Sequence, residues 1–246
     1  MRLDFPTEIP HPDHWIALFR WGSWAAAILL VYSAVTVLIV FCLGAAPATA
    51  QECFQILQNN PWIGILRLDV LTVLAMPIFL FFYVVLCRAL YRSSAILSTV
   101  SAASAFLGVT LVVSNASVLS MVQLSKQYAD ASGEARKTIF LAAGEAVMSA
   151  DMWHATGAVL GGILIQIAGV LVCIVMVRSG VFNKLTGYLG LVTHGLDLAH
   201  IMVSLFLPAA GVVLMAIAGP LYFLWLPLVG RRLHQMSHQL PIPAAK

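Results

Sequence analysis

Charge is what this chain has least of. Of its 246 residues, 9% are Asp, Glu, Lys or Arg, whereas soluble domains carry about 25%. That deficit excludes an ordinary water-exposed globular surface. The 13 basic and 10 acidic residues leave a formal charge of +3, which is no argument for nucleic acid. Cysteine is also scarce. Cys42, Cys53, Cys87 and Cys173 show no CxxC and no other metal spacing, which excludes a thiolate zinc module. The chain has no internal repeat, no linker, no second domain and no established catalytic signature such as HExxH.

What is present is apolar. Hydrophobic residues make up 61% of the chain, and the mean hydropathy is +0.95. Several apolar runs reach about 20 residues, the length of a membrane-crossing helix. They are continuous rather than alternating, which argues against a β-barrel. The expected fold is all-α: a polytopic integral membrane helical bundle forming one domain over 1–246. Its six spans fall at about 21–43, 62–86, 94–119, 153–177, 185–207 and 210–230. Pro77, Pro220 and Pro227 fall within spans, where each removes a backbone donor and bends the helix. Pro208-Ala-Ala-Gly211 is a tight turn, so spans five and six pack as an antiparallel hairpin.

Positive charge orients the bundle. Arg2, Arg20, Arg88, Arg92, Arg178, Lys184, Arg231, Arg232 and Lys246 fall on one side of this arrangement. The other side carries Lys126, Arg136 and Lys137, offset by Asp130, Glu134, Glu145 and Asp151. By the positive-inside rule both termini are cytoplasmic. The outer segment 120–152 is polar from Lys126 to Glu134 and then apolar around Glu145. It reads as a short helix resting at the outer interface, with a lid over a cavity as the functional alternative.

Ala48-Thr-Ala-Gln51 resembles a signal-peptidase site. However, the run Trp21–Leu43 exceeds the usual 7–15-residue signal core. It is read as an uncleaved first span, with cleavage the lesser alternative. Cys42 and Cys53 fall near one membrane face, so a disulfide between them is one reading and small apolar packing the other. Gly157, Gly161, Gly162, Gly169, Gly187, Gly190 and Gly195 mark close helix contacts in spans four and five.

The functional signal is His194-Gly-Leu-Asp197-Leu-Ala-His200 inside span five. Ionisable groups at that depth need a partner, a watery cavity or a role. At 1.5 Å per residue, His194 lies roughly 14 Å deep, Asp197 about 18 Å and His200 about 23 Å. Arg67 and Asp69 fall roughly 8–11 Å below the outer face of span two. Arg67, Asp69, Asn115, Asp151, His154, Asp197 and His200 therefore share the outer half of the membrane, which predicts an outward-facing polar cavity.

Three chemistries suit such a set. Asp69, His154, Asp197 and His200 could ligate zinc or iron. His and Asp could relay protons during transport. Arg67 could clamp an anionic ligand. Against these stands structural glue, with Arg67 paired to Asp197 or His154 to Asp69. The depth estimate leaves His194 as a packing or hydrogen-bonding residue, and Trp153 as part of an aromatic belt. His11, His14, His234 and His238 fall in the tails.

The second half resembles a known family. The residues are Ser120 to Ala131, then Met152-Trp153-His154 with Gly157 and Gly161. Val177-Arg178-Ser179-Gly180 and Leu185-Thr-Gly-Tyr-Leu-Gly190 follow. Over roughly 60–230 they are similar to the bacterial membrane family catalogued as domain of unknown function 4386, with Leu185 where that family carries tryptophan. The resemblance implies a six- or seven-span helical protein of the bacterial inner (plasma) membrane, and supplies no activity. The His194–His200 set is not part of its pattern. The resulting expectation is a non-enzymatic, transporter-like, ligand-binding or accessory bundle. The alternative is an intramembrane metal-dependent or acid–base enzyme. The expected partners are the lipid bilayer and a small-molecule or lipid ligand, with no nucleic acid.

Overall fold

The computed structural model describes Pro12–Gln239. Those residues form ten α-helices and no strand: α1 (Pro12–Leu43), α2 (Ala50–Asn59), α3 (Pro61–Arg67), α4 (Val70–Leu90), α5 (Ala95–Ser114), α6 (Val118–Ala129), α7 (Glu134–Ser149), α8 (Thr156–Arg178), α9 (Lys184–Ser204) and α10 (Pro208–Gln239). Five helical stretches are long and apolar enough to cross a membrane: His14–Leu43, Val70–Leu90, Ala95–Ala129, Thr156–Arg178 and Pro208–Gln239. This points to a membrane protein. Large apolar side chains along them face outward, among them Phe41, Leu74, Ile96, Leu160 and Leu224. Such a surface suits lipid and would be costly in water. The expected fifth span corresponds to α9, which is not one of the five.

The chain divides into two compact units. The first comprises 1–31, 78–107 and 163–246, so it holds α9, α10 and parts of α1, α4, α5 and α8. Its core packs Phe82, Tyr83, Leu86, Met176, Trp225 and Leu226. Phe82 meets Trp225 edge to face, with centroids 5.9 Å apart. Absent side chains permit the close helix approaches. A Cβ on Gly187 would stand 2.7 Å from Val177 Cγ2, and one on Gly190 would stand 2.4 Å from both Cys173 Sγ and Trp225 Nε1. Gly195, expected to mark a contact as well, faces open space. α9 and α10 run along one another, joined through Leu205–Leu207.

The second unit comprises 32–77 and 108–162. It holds α2, α3, α6 and α7 around Ala50, Cys53, Phe54, Leu57 and Met121. The helix ends explain its form. Thr49 caps α2 through Glu52 N, while Glu52 Oε2 accepts from Ala48 N at 2.9 Å, a variant of the capping box. Asn60 accepts from Trp62 N and Ile63 N, with Pro61 opening α3. Residues 48–51, which resembled a cleavage site, therefore form the cap and first turn of α2.

Two expectations need correction, and the alternatives for Cys42 and Cys53 are decided. The 62–86 span is two helices, broken at Leu68–Asp69, where Asp69 takes φ +60°. Asp is among the residues that tolerate that left-handed conformation. The 120–152 segment is not one short helix. It is the end of α6 plus α7, packed on α2, because Met121, Val122, Leu141 and Val147 share an apolar core with Phe54. Cys42 and Cys53 are free thiols, exposed and buried respectively. Burial pushes the Cys53 thiol up to about 11, so it stays protonated and unreactive.

Candidate functional site

The most developed polar arrangement lies in the first unit, where α8, α9 and α10 meet through four side chains. Gln166 lies amid the apolar run of α8, Asp197 and His194 lie one turn apart on α9, and Tyr222 lies on α10. Gln166 Nε2 donates to Asp197 Oδ2 at 2.6 Å. The Tyr222 hydroxyl donates to the same oxygen at 3.0 Å. Gln166 Oε1 lies 2.8 Å from His194 Nδ1 and 3.2 Å from the Tyr222 hydroxyl. A carboxylate, an amide, a phenol and an imidazole thus satisfy one another where little else is polar.

Aromatic rings enclose the imidazole. Trp225 stands perpendicular to it with centroids 4.8 Å apart. Tyr222 is similarly disposed at 5.4 Å, and Tyr83 from α4 lies at 6.4 Å. Gly169 supplies the remaining wall, since a Cβ there would meet His194 Cγ and Nδ1 at 2.4 Å. His194 is 2% exposed, and its Nε2 has no hydrogen-bond partner. Trp225 Nε1 is also buried and unpaired.

The grouping differs from the one that depth suggested. His194 belongs with Asp197, not apart from it. His200 instead joins the start of α10. Its Nδ1 lies 2.9 Å from Gly211 O and 3.2 Å from Ser204 Oγ. The cause is angular: at about 100° per residue, His200 lies about 120° around the helix from His194.

The other five expected residues belong to the second unit. Arg67 donates to Ala45 O at 2.8 Å and pairs with Glu52 at 3.0 Å, which ties α3 to α2. Asp69 accepts from the Thr72 hydroxyl at 2.7 Å, and Thr72 lies 2.5 Å from the Tyr32 hydroxyl. Thr72 has one proton to give, so Tyr32 donates in turn to Thr72. Asn115 donates to Leu111 O within its own helix end. Asp151 accepts from Trp153 N and His154 N, and its Oδ1 lies 2.8 Å from His154 Nδ1. That turn leads into α8, and His154 is largely exposed. Arg67 and Asp69 thus act as joints between local elements, as the break in the expected span requires.

Among the described residues, no three His, Cys, Asp or Glu side chains gather closely enough to hold a metal ion. The zinc or iron reading of Asp69, His154, Asp197 and His200 therefore has no assembled donor set behind it. Sequence reasoning did not single out Gln166 or Tyr222. Gln166 had a visible signal, a lone amide in the apolar run of α8. Tyr222 had none, since one aromatic amid the apolar residues of a span reads as ordinary packing. No family model matches this chain, and no curated protein or solved structure matches it significantly.

Proposed function

We propose that this chain is a six-span, transporter-like protein of a bacterial inner membrane, with both termini cytoplasmic. In this reading the Asp197–Gln166–His194–Tyr222 centre takes up a proton together with a small polar ligand. One observation carries the reading: a carboxylate and an imidazole are linked through an amide within a packed, apolar helix layer. Such groups are expensive in a membrane and, where present, mark proton and substrate pathways.

α9 supplies the sixth crossing. Its 21 residues span about 31 Å at 1.5 Å per residue, enough for a hydrocarbon core of about 30 Å. Its polar residues are answered by α8 and α10, so their low hydropathy does not bar insertion. The nine basic residues grouped on one side of a six-span arrangement support the orientation.

Proteoliposomes under an imposed proton gradient test the function, with a panel of labelled small polar solutes as probes. Gradient-driven uptake that disappears in Asp197→Asn is expected. Uptake of no solute above empty vesicles, or uptake untouched by Asp197→Asn, overturns the proposal.

A further inference from the structure

Gln166 has no charge and no reactivity of its own, yet it stands between the two ionisable groups of the centre. We infer that Gln166 is a positioning residue. Oriented by the Asp197 carboxylate, it holds His194 as the neutral tautomer protonated on Nδ1 and leaves Nε2 as the bare, accepting nitrogen of the site. The inference deepens the proposed function and rests on this centre being where the protein works.

The argument is a count of donors and acceptors. An ionised carboxylate only accepts. The Gln166 terminus 2.6 Å from Asp197 Oδ2 must therefore be its NH₂. The other terminus is then the carbonyl oxygen, which also only accepts. It lies 2.8 Å from His194 Nδ1, so that nitrogen must carry the proton. Tyr222 does not reverse this. Its single proton goes to Asp197 Oδ2 at 3.0 Å, which leaves its oxygen, 3.2 Å from Nδ1, as a second acceptor for the same N–H. With Asp197 ionised, the arrangement runs in one direction, from imidazole to amide to carboxylate; Gln166 Oε1 and the Tyr222 oxygen, 3.2 Å apart, are then both acceptors that share the His194 N–H.

Nε2 is the residue of that count. It is buried and unpaired. A doubly protonated ring would leave a charged N–H there with no acceptor, which is costly away from water. Rotation of the ring to exchange its nitrogens is opposed by the wall at Gly169 and by Trp225, Tyr222 and Tyr83 around the ring. The free variable is the sense of the Gln166 amide, which Asp197 sets. A neutral imidazole whose Nε2 can only accept has no attraction for an anion. It suits a hydrogen-bond donor.

Nitrogen NMR of the full chain in lipid bilayers, with ¹⁵N-labelled histidine, reads the tautomer directly. The chain has 7 histidines, and loss of one pair of signals in His194→Gln assigns the ring. At neutral pH the wild type should show a protonated Nδ1 and a bare Nε2. Gln166→Leu and Asp197→Ala should each release the constraint and give signal from the Nε2–H tautomer. An imidazolium or Nε2–H form in the wild type overturns the inference, as does an unchanged Nδ1–H form in Gln166→Leu. If Gln166→Leu does not fold, the wild-type spectrum and Asp197→Ala still decide. Absence of gradient-driven uptake in the wild type alongside the expected tautomer would overturn the transport reading alone. The reverse result would overturn the role of Gln166 alone.

Discussion

An ideal Cβ at Gly169 would stand 2.4 Å from two atoms of the His194 ring, and one at Gly195 would meet nothing within 4 Å. Both glycines lie inside helices, so intrinsic propensity favours alanine at each by about 1 kcal/mol. Packing decides between them. Gly169→Ala must displace a ring clamped by Trp225 and Tyr222, and overpacking of that kind costs about 1–3 kcal/mol. The expected outcome, read as the thermal midpoint of purified protein in detergent, is a clear fall for Gly169→Ala. Gly195→Ala should be unchanged or slightly more stable. Equal shifts would mean that the Gly169–His194 contact is not made. The residues of the centre were only partly legible in the sequence. His194 and Asp197 announced themselves as ionisable groups in an apolar run. Their partners Gln166 and Tyr222 did not, because helical period tells which side chains share a face, not which helix will lie opposite. His200 looked like a third member since it recurs at i+6, but the drift around the helix sends it to Gly211 instead.

At the scale of elements, α2 depends on electrostatics at its first turn. The Glu52 carboxyl is held below its usual range, chiefly by the backbone N–H of Ala48, against a smaller opposing effect of burial and with further help from Arg67. Because the folded value lies below the unfolded one, Glu52 stabilises the α2 cap above the ordinary carboxylate range. That contribution is lost as pH falls through the lowered value. Amide protection along Ala50–Asn59, corrected for the intrinsic pH dependence of exchange, should therefore fall on acidification, and Glu52→Gln should remove that part of the pH dependence. Glu145 also contributes here, since its carboxylate accepts from Ala50 N at 2.8 Å, a contact that Glu52→Gln leaves in place. A Glu52→Gln profile superimposable on wild type would refute the role assigned to Glu52. The long apolar helices α1, α5, α8 and α10 were all legible from hydropathy. α2 was not, although Ala50, Cys53, Phe54 and Leu57 repeat at i, i+3, i+4 and i+7 and are all buried. Thr49 caps α2 with Glu52 at its third position, but the tetrapeptide Ala48–Gln51 fits a cleavage site equally well, and four residues do not choose between the two. The break at Asp69 had no comparable marker, because the run continues apolar on both sides and the left-handed turn is taken by a residue other than glycine.

For the whole molecule, everything that depends on sidedness turns on α9. Hydropathy favours the other long helices as spans, whereas α9 carries His194, Asp197 and His200 along its length. Each of these is bonded within its own helix or to α8 or α10, so the energetic objection to placing it in a bilayer is met by contacts inside the protein. If α9 crosses, Gly180 before it and Ala209 after it lie on opposite sides of the membrane. If it does not, they share a side, and α10 must run the other way. Both positions are exposed, so single cysteines there can report without disturbing a core. In a background with Cys42, the exposed native thiol, replaced by serine, a membrane-impermeant maleimide added to intact cells should label Ala209→Cys. Gly180→Cys should react only after the membrane is opened. Labelling of both from one side would end the six-span arrangement. It would also take Asp197 out of a trans-bilayer path, since a helix that does not cross cannot carry protons between two compartments.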